Sequence, residues 1–308
     1  MSRIRTLTKR PHRDQKNRMI LHRRIVLSGL LAAPAIIRGQ AARADIAERI
    51  PTPMPPASAA DGPPRWQRYA VKPRTAEGKP IITVVIDDLG VMEPGTARAV
   101  ALPAPLTLSW FPFAHRLPEQ VAGGAARGHE ATLHMPMQAF GNSTAWTGPD
   151  PLRIDLPPEE NLRRLVAALD AVPDTVGLNN HMGSVATRDT GLMSLVAAET
   201  KRRDMLFLDS LTIQHSVAYK EAAQAGVPAA SRDLFIDDKN DPTSIAYWLA
   251  AIEATARRRG NVIAIGHPRA HTLDALEKWL PTLEAKGFVM WPLSATVALR
   301  NEIELPAG

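Results

Sequence analysis

The stretch that most constrains this chain is Ile81-Ile82-Thr83-Val84-Val85-Ile86-Asp87-Asp88-Leu89-Gly90. Its first six residues are aliphatic or β-branched, so a strand through them turns apolar side chains to both faces and needs cover on both. Strands of that kind belong to parallel sheets flanked by helices, and such sheets present their chemistry at the carboxyl ends of the strands. This one ends in two adjacent carboxylates and a glycine. Asp after a core strand can also serve only as a turn and helix cap. The rest of the chain decides between the two.

After Gly90, helical and extended patterns alternate, as in βα units. Helices are expected over 94–101, 117–127, 158–171, 191–203, 216–225, 244–259 and 272–286. The pattern over 158–171 is the strongest, with Leu162, Leu165, Val166 and Leu169 on one face. Further strands are expected over 106–111, 131–135, 176–178, 205–208, 229–236, 262–265 and 288–291, with a long irregular stretch, 138–156, that carries Trp146. The sequence therefore predicts an α/β protein: a distorted (β/α) barrel of seven or eight mostly parallel strands, in a single domain over 79–308. A doubly wound open sheet is the alternative.

The formal net charge of +6 would suit a nucleic-acid partner, but its distribution argues otherwise. Arg3, Arg5, Lys9, Arg10, Arg13, Lys16, Arg18, Arg23, Arg24 and Arg38 crowd the first 40 positions, and the remainder is roughly neutral. Residues 1–44 read as an export signal: a basic start, the pair Arg23-Arg24, an apolar run over 25–37, and small residues around Ala42-Arg43-Ala44. Twin arginine before Ile-Val-Leu resembles a twin-arginine signal, an ordinary secretory signal is the other option, and translation from Met19 would shorten either. An uncleaved anchor is the competing interpretation, although the apolar run falls short of the about 20 residues that span a bilayer. No nucleic acid is expected as partner, and a membrane only through this segment. Residues 45–78 are rich in Pro and Ala and read as a tether to the domain, with Trp66 and Tyr69 able to dock on it. The chain has no cysteine, which excludes disulfide and thiol chemistry.

In this layout the polar residues just beyond the strands converge on one rim. They are Asp87 and Asp88, then His134, His181, Asp209, Arg232 with Asp233, and His267. One carboxylate and two neutral imidazoles form an open ligand set for Zn²⁺ or a similar divalent ion. A second carboxylate could take a proton from water and a further histidine could protonate a leaving group. Taken singly, His134 or His181 is more often a hydrogen-bonded structural residue, and Asp209 can simply cap a helix. Asp237 and Asp238, next to Lys239 and Asn240, read as a solvated turn. His12, His22, His115 and His215 have no supporting context.

At these residues the chain resembles the divergent polysaccharide deacetylases, relatives of metal-dependent carbohydrate esterases, over about Lys79 to Leu305. Ile86-Asp87-Asp88-Leu89-Gly90 is similar to the esterases' Phe-Asp-Asp-Gly motif, which implies Asp87 as base and Asp88 as metal ligand. Gly128-His129-Glu130 followed by His134 resembles the motif whose histidine binds metal, and Ile265-Gly266-His267 the one whose histidine acts as acid. Gln138 stands where main-group esterases carry a second metal histidine, and their Arg-containing motif is not recognisable. His181, in Asn179-Asn180-His181-Met182-Gly183-Ser184, is the replacement ligand. The resemblance implies an exported hydrolase that deacetylates N- or O-acetylated sugars of an envelope polysaccharide, with zinc held by Asp88, His134 and His181. Asp209 would support Asp87 and His267, and Arg232, Asp233 and Asn180 would meet the glycan. The competing possibility is a non-catalytic envelope module binding glycan or a protein partner. A serine hydrolase is weaker still, since no Gly-x-Ser-x-Gly occurs.

Overall fold

The computed structural model describes residues 62–91, 93–141 and 147–304, all within one unit spanning Ile50–Gly308. The export signal, tether residues 45–61, Trp146 and residues 305–308 lie outside the described residues. The strands are β1 (Ile81–Leu89), β2 (Thr107–Trp110), β3 (Glu130–Met137), β4 (Gly177–Met182), β5 (Leu206–Asp209), β6 (Ala229–Ser231), β7 (Leu234–Phe235), β8 (Asn261–Gly266) and β9 (Val289–Met290). The helices are α1 (Arg65–Arg68), α2 (Glu93–Ala101), α3 (Leu117–Ala125), α4 (Pro158–Ala171), α5 (Thr190–Arg202), α6 (Ala218–Gln224), α7 (Pro242–Arg259), α8 (Ala270–Trp279) and α9 (Leu293–Arg300).

The sheet runs β6-β5-β4-β3-β2-β1-β8-β7, with β9 beside the start of β1, and every pairing is parallel. This bears out the α/β expectation, with a refinement at the edges. The sequence reads 229–236 as one extended segment, whereas the structure splits it: Ala229–Ser231 pairs with β5 and Leu234–Phe235 with β8. Only Arg232 and Asp233 separate the sheet's two edges, so the sheet is curled towards a barrel without a closing ladder.

The period of two sorts each strand into an outer and an inner row. In β1, Ile82, Val84 and Ile86 join the large cluster beneath the helices, while Val85 joins Val176, Leu206, Leu208, Ile263 and Ile265 in the interior. Each such buried aliphatic side chain is worth about 1.5–3 kcal/mol, which is why a run apolar on both faces is held at the centre of the sheet. Helix α9 plugs the amino-terminal end: Leu293 and Val297 belong to the inner cluster, and Thr296 Oγ1 lies 2.6 Å from Thr83 Oγ1. Trp66 is 3% exposed in that same cluster, and its N–H donates to the Asp204 carbonyl at 2.9 Å. The folded body therefore takes in residues that composition alone assigns to the tether.

Glu130 ties these parts together. Fully buried at the start of β3, its carboxylate accepts from Val71 N at 3.1 Å, Ser294 N at 3.0 Å and Thr107 Oγ1 at 3.4 Å, and also pairs with the Ser294 hydroxyl. Burial pushes it from the ordinary 4.5 up to about 7, against the pull of those donors. The folded state thus holds this proton more tightly than the unfolded chain does, so stability falls as pH rises from 4.5 to about 7. Relative to Glu130→Gln, the wild type is expected to lose about 3 kcal/mol across that window. Urea unfolding midpoints of both proteins at several pH values check it, and parallel pH profiles would contradict it.

Candidate metal centre

At the carboxyl end of β1 the ladder breaks: its register with β2 shifts between Ile86 and Leu89, and Asp88 takes a left-handed φ of 60°. A regular strand would send adjacent carboxylates to opposite faces. The bulge instead brings both Asp87 and Asp88 to the inner rim, and Asp tolerates the left-handed region better than a β-branched residue would. Gly90 follows at φ 98°, where a Cβ would lie 2.3 Å from that of Ala114. The glycine is therefore required by both backbone conformation and space.

Three distant residues meet here. Asp88 Oδ1 lies 3.2 Å from His134 Nε2 and 3.1 Å from His181 Nδ1, and the two nitrogens are 3.1 Å apart. His134 Nε2 is also 3.7 Å from Asp87 Oδ2. Asp88 Oδ1 is buried and has no hydrogen-bond donor of proper geometry. A carboxylate oxygen and two ring nitrogens this close call for a proton or a cation among them. Their spacing is near the about 3.3 Å between ligand atoms of a tetrahedral zinc with bonds of about 2.0–2.1 Å. Asp88, His134 and His181 thus fit a divalent ion by donor type, spacing and the orphaned oxygen.

Asn179 fixes this arrangement. Its Nδ2 donates to Asp87 Oδ1 at 2.9 Å, Asp87 Oδ2 at 3.1 Å and Ser210 Oγ at 3.1 Å. Its Oδ1 therefore faces His134 Nδ1 at 3.0 Å and accepts the hydroxyl of Ser109. That makes His134 Nδ1 the protonated nitrogen and leaves Nε2 with the lone pair that a cation could take. Phe111 packs against both imidazoles, with ring centroids 5.2 Å from His134 and 4.8 Å from His181.

Charge follows geometry. Burial pushes Asp87 above the usual carboxylate range, opposed by His134 and His267. For Asp88 burial acts the same way, but the close imidazoles of His134 and His181 more than offset it and hold Asp88 well below that range. His134 is held above its ordinary value, because Asp87 and Asp88 outweigh burial. The rim attracts positive charge.

His267 stands at the end of β8 with a partner of its own. Its Nδ1 donates to Asp237 Oδ1 at 2.8 Å, while Asp237 Oδ2 accepts from the His267 backbone N–H at 3.0 Å and Thr272 Oγ1 at 2.7 Å. Burial lowers His267, but Asp237, with Asp88 and Asp87 nearby, raises it overall. The solvated turn expected at Asp237 is thus corrected: its side chain is fully buried and orients the histidine.

The remaining expected residues divide by row. Arg232 lines the site, donating to the carbonyls of Ser210 at 2.7 Å and Leu211 at 2.9 Å, with its guanidinium 3.6 Å from the centre of the Phe235 ring. Burial lowers it to about 10, against the pull of Asp209, Asp87 and Asp233, so it stays cationic at neutral pH. Asp209 shares the outer row with Phe207, accepting from Leu211 N, Ser216 Oγ and Tyr219 N. It caps a turn and a helix and does not reach the rim. Asn180 likewise faces outward, donating to Met182 O and accepting from Ser210 N, and it is fully buried, out of reach of a glycan. Asp233 pairs with Arg300 of the plugging helix and accepts from Ile263 N, outside the cluster of Asp88, His134 and His181. Gln138 Oε1 accepts from Ile154 N at 2.9 Å and takes no part in the cluster. His129 is structural too, accepting from Leu106 N at 3.2 Å.

The barrel and its acid–imidazole rim define a class, and comparison with known proteins gives the family. Residues 84–297 match the family model described as divergent polysaccharide deacetylase, and the chain belongs to that family. It is 33% identical over 202 residues to an uncharacterized protein of Haemophilus influenzae, covering 66% of this chain and 71% of that one. It is 31% identical to the uncharacterized protein YibQ of Escherichia coli over 66% of this chain and 63% of YibQ, less than two thirds of that relative's length. Among solved structures, the uncharacterized protein ATU2773 of Agrobacterium tumefaciens C58 superposes with a TM-score of 0.74 at 25% identity, covering 78% of this chain and 98% of that one.

Asp237→Asn removes the charge that holds His267 protonated. In proton NMR titrations, His267 of the wild type should titrate above 6.5, and the variant should shift it downward. An unchanged midpoint would contradict the assigned pairing.

Proposed function

We propose that this chain is an exported, metal-dependent hydrolase that removes acetyl groups from N- or O-acetylated sugars of an envelope or extracellular polysaccharide. Membership of the deacetylase family supports the reaction class. The observation that carries the reading is the triangle of Asp88 Oδ1, His134 Nε2 and His181 Nδ1, with edges of 3.1–3.2 Å, flanked by a second carboxylate, Asp87, and a third histidine, His267. Export is supported by the basic and apolar pattern of residues 1–44; among the described residues no helix is long and apolar enough to cross a membrane.

Asp88, His134 and His181 would hold a divalent ion, zinc suiting the donor set best, which when bound would lower the pKa of water and polarise the scissile carbonyl. Asp87 takes the proton of the attacking water. Asn179 Nδ2 holds both oxygens of that carboxylate in one orientation, and burial makes it a stronger base than a solvated Asp. His267 carries its proton on a nitrogen that Asp237 does not occupy and delivers it to the departing amine or alkoxide. Arg232 offsets the negative charge of the pocket, and Phe111 keeps water from the far side of the imidazoles. Retention of Asp87 and His267 beside the ligand triangle favours turnover over a purely binding role.

Asp88→Ala is expected to abolish both zinc binding, measured by chelator competition, and acetate release. Zinc retained at the wild-type level would contradict the ligand assignment. Asn179→Ala keeps all three ligands but frees the His134 ring, so zinc affinity should fall about 10–100-fold. An unchanged affinity would remove Asn179 from its supporting role.

A further inference from the structure

The rim carries a feature beyond β7 that the acid–imidazole cluster does not use. Asp238 directly follows the partner of His267, and its Oδ1 accepts from Trp248 Nε1 at 2.7 Å, Lys239 N at 2.8 Å and Ser244 Oγ at 3.3 Å. Oδ2 takes none of these bonds. Trp248 lies on the second turn of α7, and helical side chains lean towards the helix amino terminus, which brings the indole back over the loop leaving β7. Tyr247 packs edge-on against it, with centroids 5.1 Å apart and an interplanar angle of 77°, and is 66% exposed.

The pair is part of a wider bias. Among the described residues, seven large apolar or aromatic side chains are exposed. Four lie in segments that follow β1, β2 or β3, including Phe113 and Phe140, and two sit near the starts of α6 and α7. Leu299 alone is at the plugged end. Apolar surface is therefore gathered on the face that holds the metal residues.

We propose that Tyr247, Trp248 and Asp238 form a sugar-binding subsite on the β7 side of the metal centre, which holds a sugar unit of the polysaccharide other than the one that loses its acetyl group. This rests on the rim being a deacetylating centre. A pyranose ring offers an apolar C–H face to an aromatic ring and hydroxyl donors at its edge, and the pair with Asp238 Oδ2 supplies both complements side by side. The hydrogen bond from the indole fixes the platform before sugar arrives, which lowers the ordering cost of binding. Phe113 and Phe140, beyond β2 and β3, provide apolar surface on the opposite side of the centre. From β3 to β7 there are four strand spacings, about 19 Å measured along the curled sheet and less straight across its mouth. An extended glycan can reach across that distance, whereas one sugar cannot. The intervening floor of carboxylates and imidazoles is too polar for a bilayer or an apolar protein face.

The test uses the full chain carrying Asp87→Asn, so that binding is measured without turnover, against N-acetylglucosamine oligomers of about two and about six units by calorimetry. The longer oligomer should bind on the order of tenfold more tightly, about 1.4 kcal/mol. Adding Tyr247→Ala with Trp248→Ala should bring the ratio close to one, and Trp248→Phe, which loses the bond to Asp238 and part of the aromatic surface, should give an intermediate ratio. Equal affinity for both oligomers, no binding of either, or a ratio untouched by the double substitution would overturn the subsite. Acetate release by the otherwise wild-type chain separates the two readings. Length-dependent binding without acetate release sinks the deacetylase reading alone, and acetate release without length dependence sinks the subsite alone.

Discussion

One buried amide sets the polarity of the whole rim. Asn179 has a single orientation that satisfies its surroundings, with nitrogen towards the carboxylate of Asp87 and oxygen towards His134 Nδ1. A fully buried carboxylate without donors would be costly, and a histidine of the wrong tautomer would turn a proton towards Asp88 in place of a lone pair. The amide removes both problems at once, across the barrel interior from β4 to β1. The small side chains of Ser109 and Ser210 leave room for it and bond to it.

Around that amide the barrel is layered by chemistry. Its plugged end is threonine, glutamate and aliphatic packing against α9, its middle is Val85, Leu208, Ile263 and Ile265, and its open end is carboxylate, amide and imidazole. The apolar middle layer isolates the charged end from Glu130 at the other. Two buried acids in one barrel thus take separate roles, one holding the tether segment and C-terminal helix, the other facing the site.

Much of this was legible in the sequence. The apolar run ending at Asp87-Asp88 dictates a central parallel strand, and the Asp and His residues after later strands mark the rim. The parts that were misread share a physical cause. Asn179 and Asn180 are neighbours, as are Asp209 and Ser210, and alternation sends one of each pair inward and the other outward. Applying the two-residue period from His181 back to Asn179, and from Leu208 on to Ser210, would have picked the inward residue each time. The bulge that exempts Asp87 and Asp88 from that rule is a backbone event with no side-chain signature beyond a tolerant Asp and a following Gly. Asp237 was hidden by its neighbours: Asp238, Lys239 and Asn240 are exposed and make the segment look solvated, although Asp237 itself is wholly enclosed.

In the proposed centre, residues from β1, β3 and β4 share one cation. X-ray absorption at the zinc edge, on the full chain loaded with one equivalent of zinc, tests it most directly. Two imidazole nitrogens and one carboxylate oxygen at about 2.0–2.2 Å are predicted. A spectrum without imidazole scattering, or one unchanged when both His134 and His181 are replaced by alanine, would contradict it.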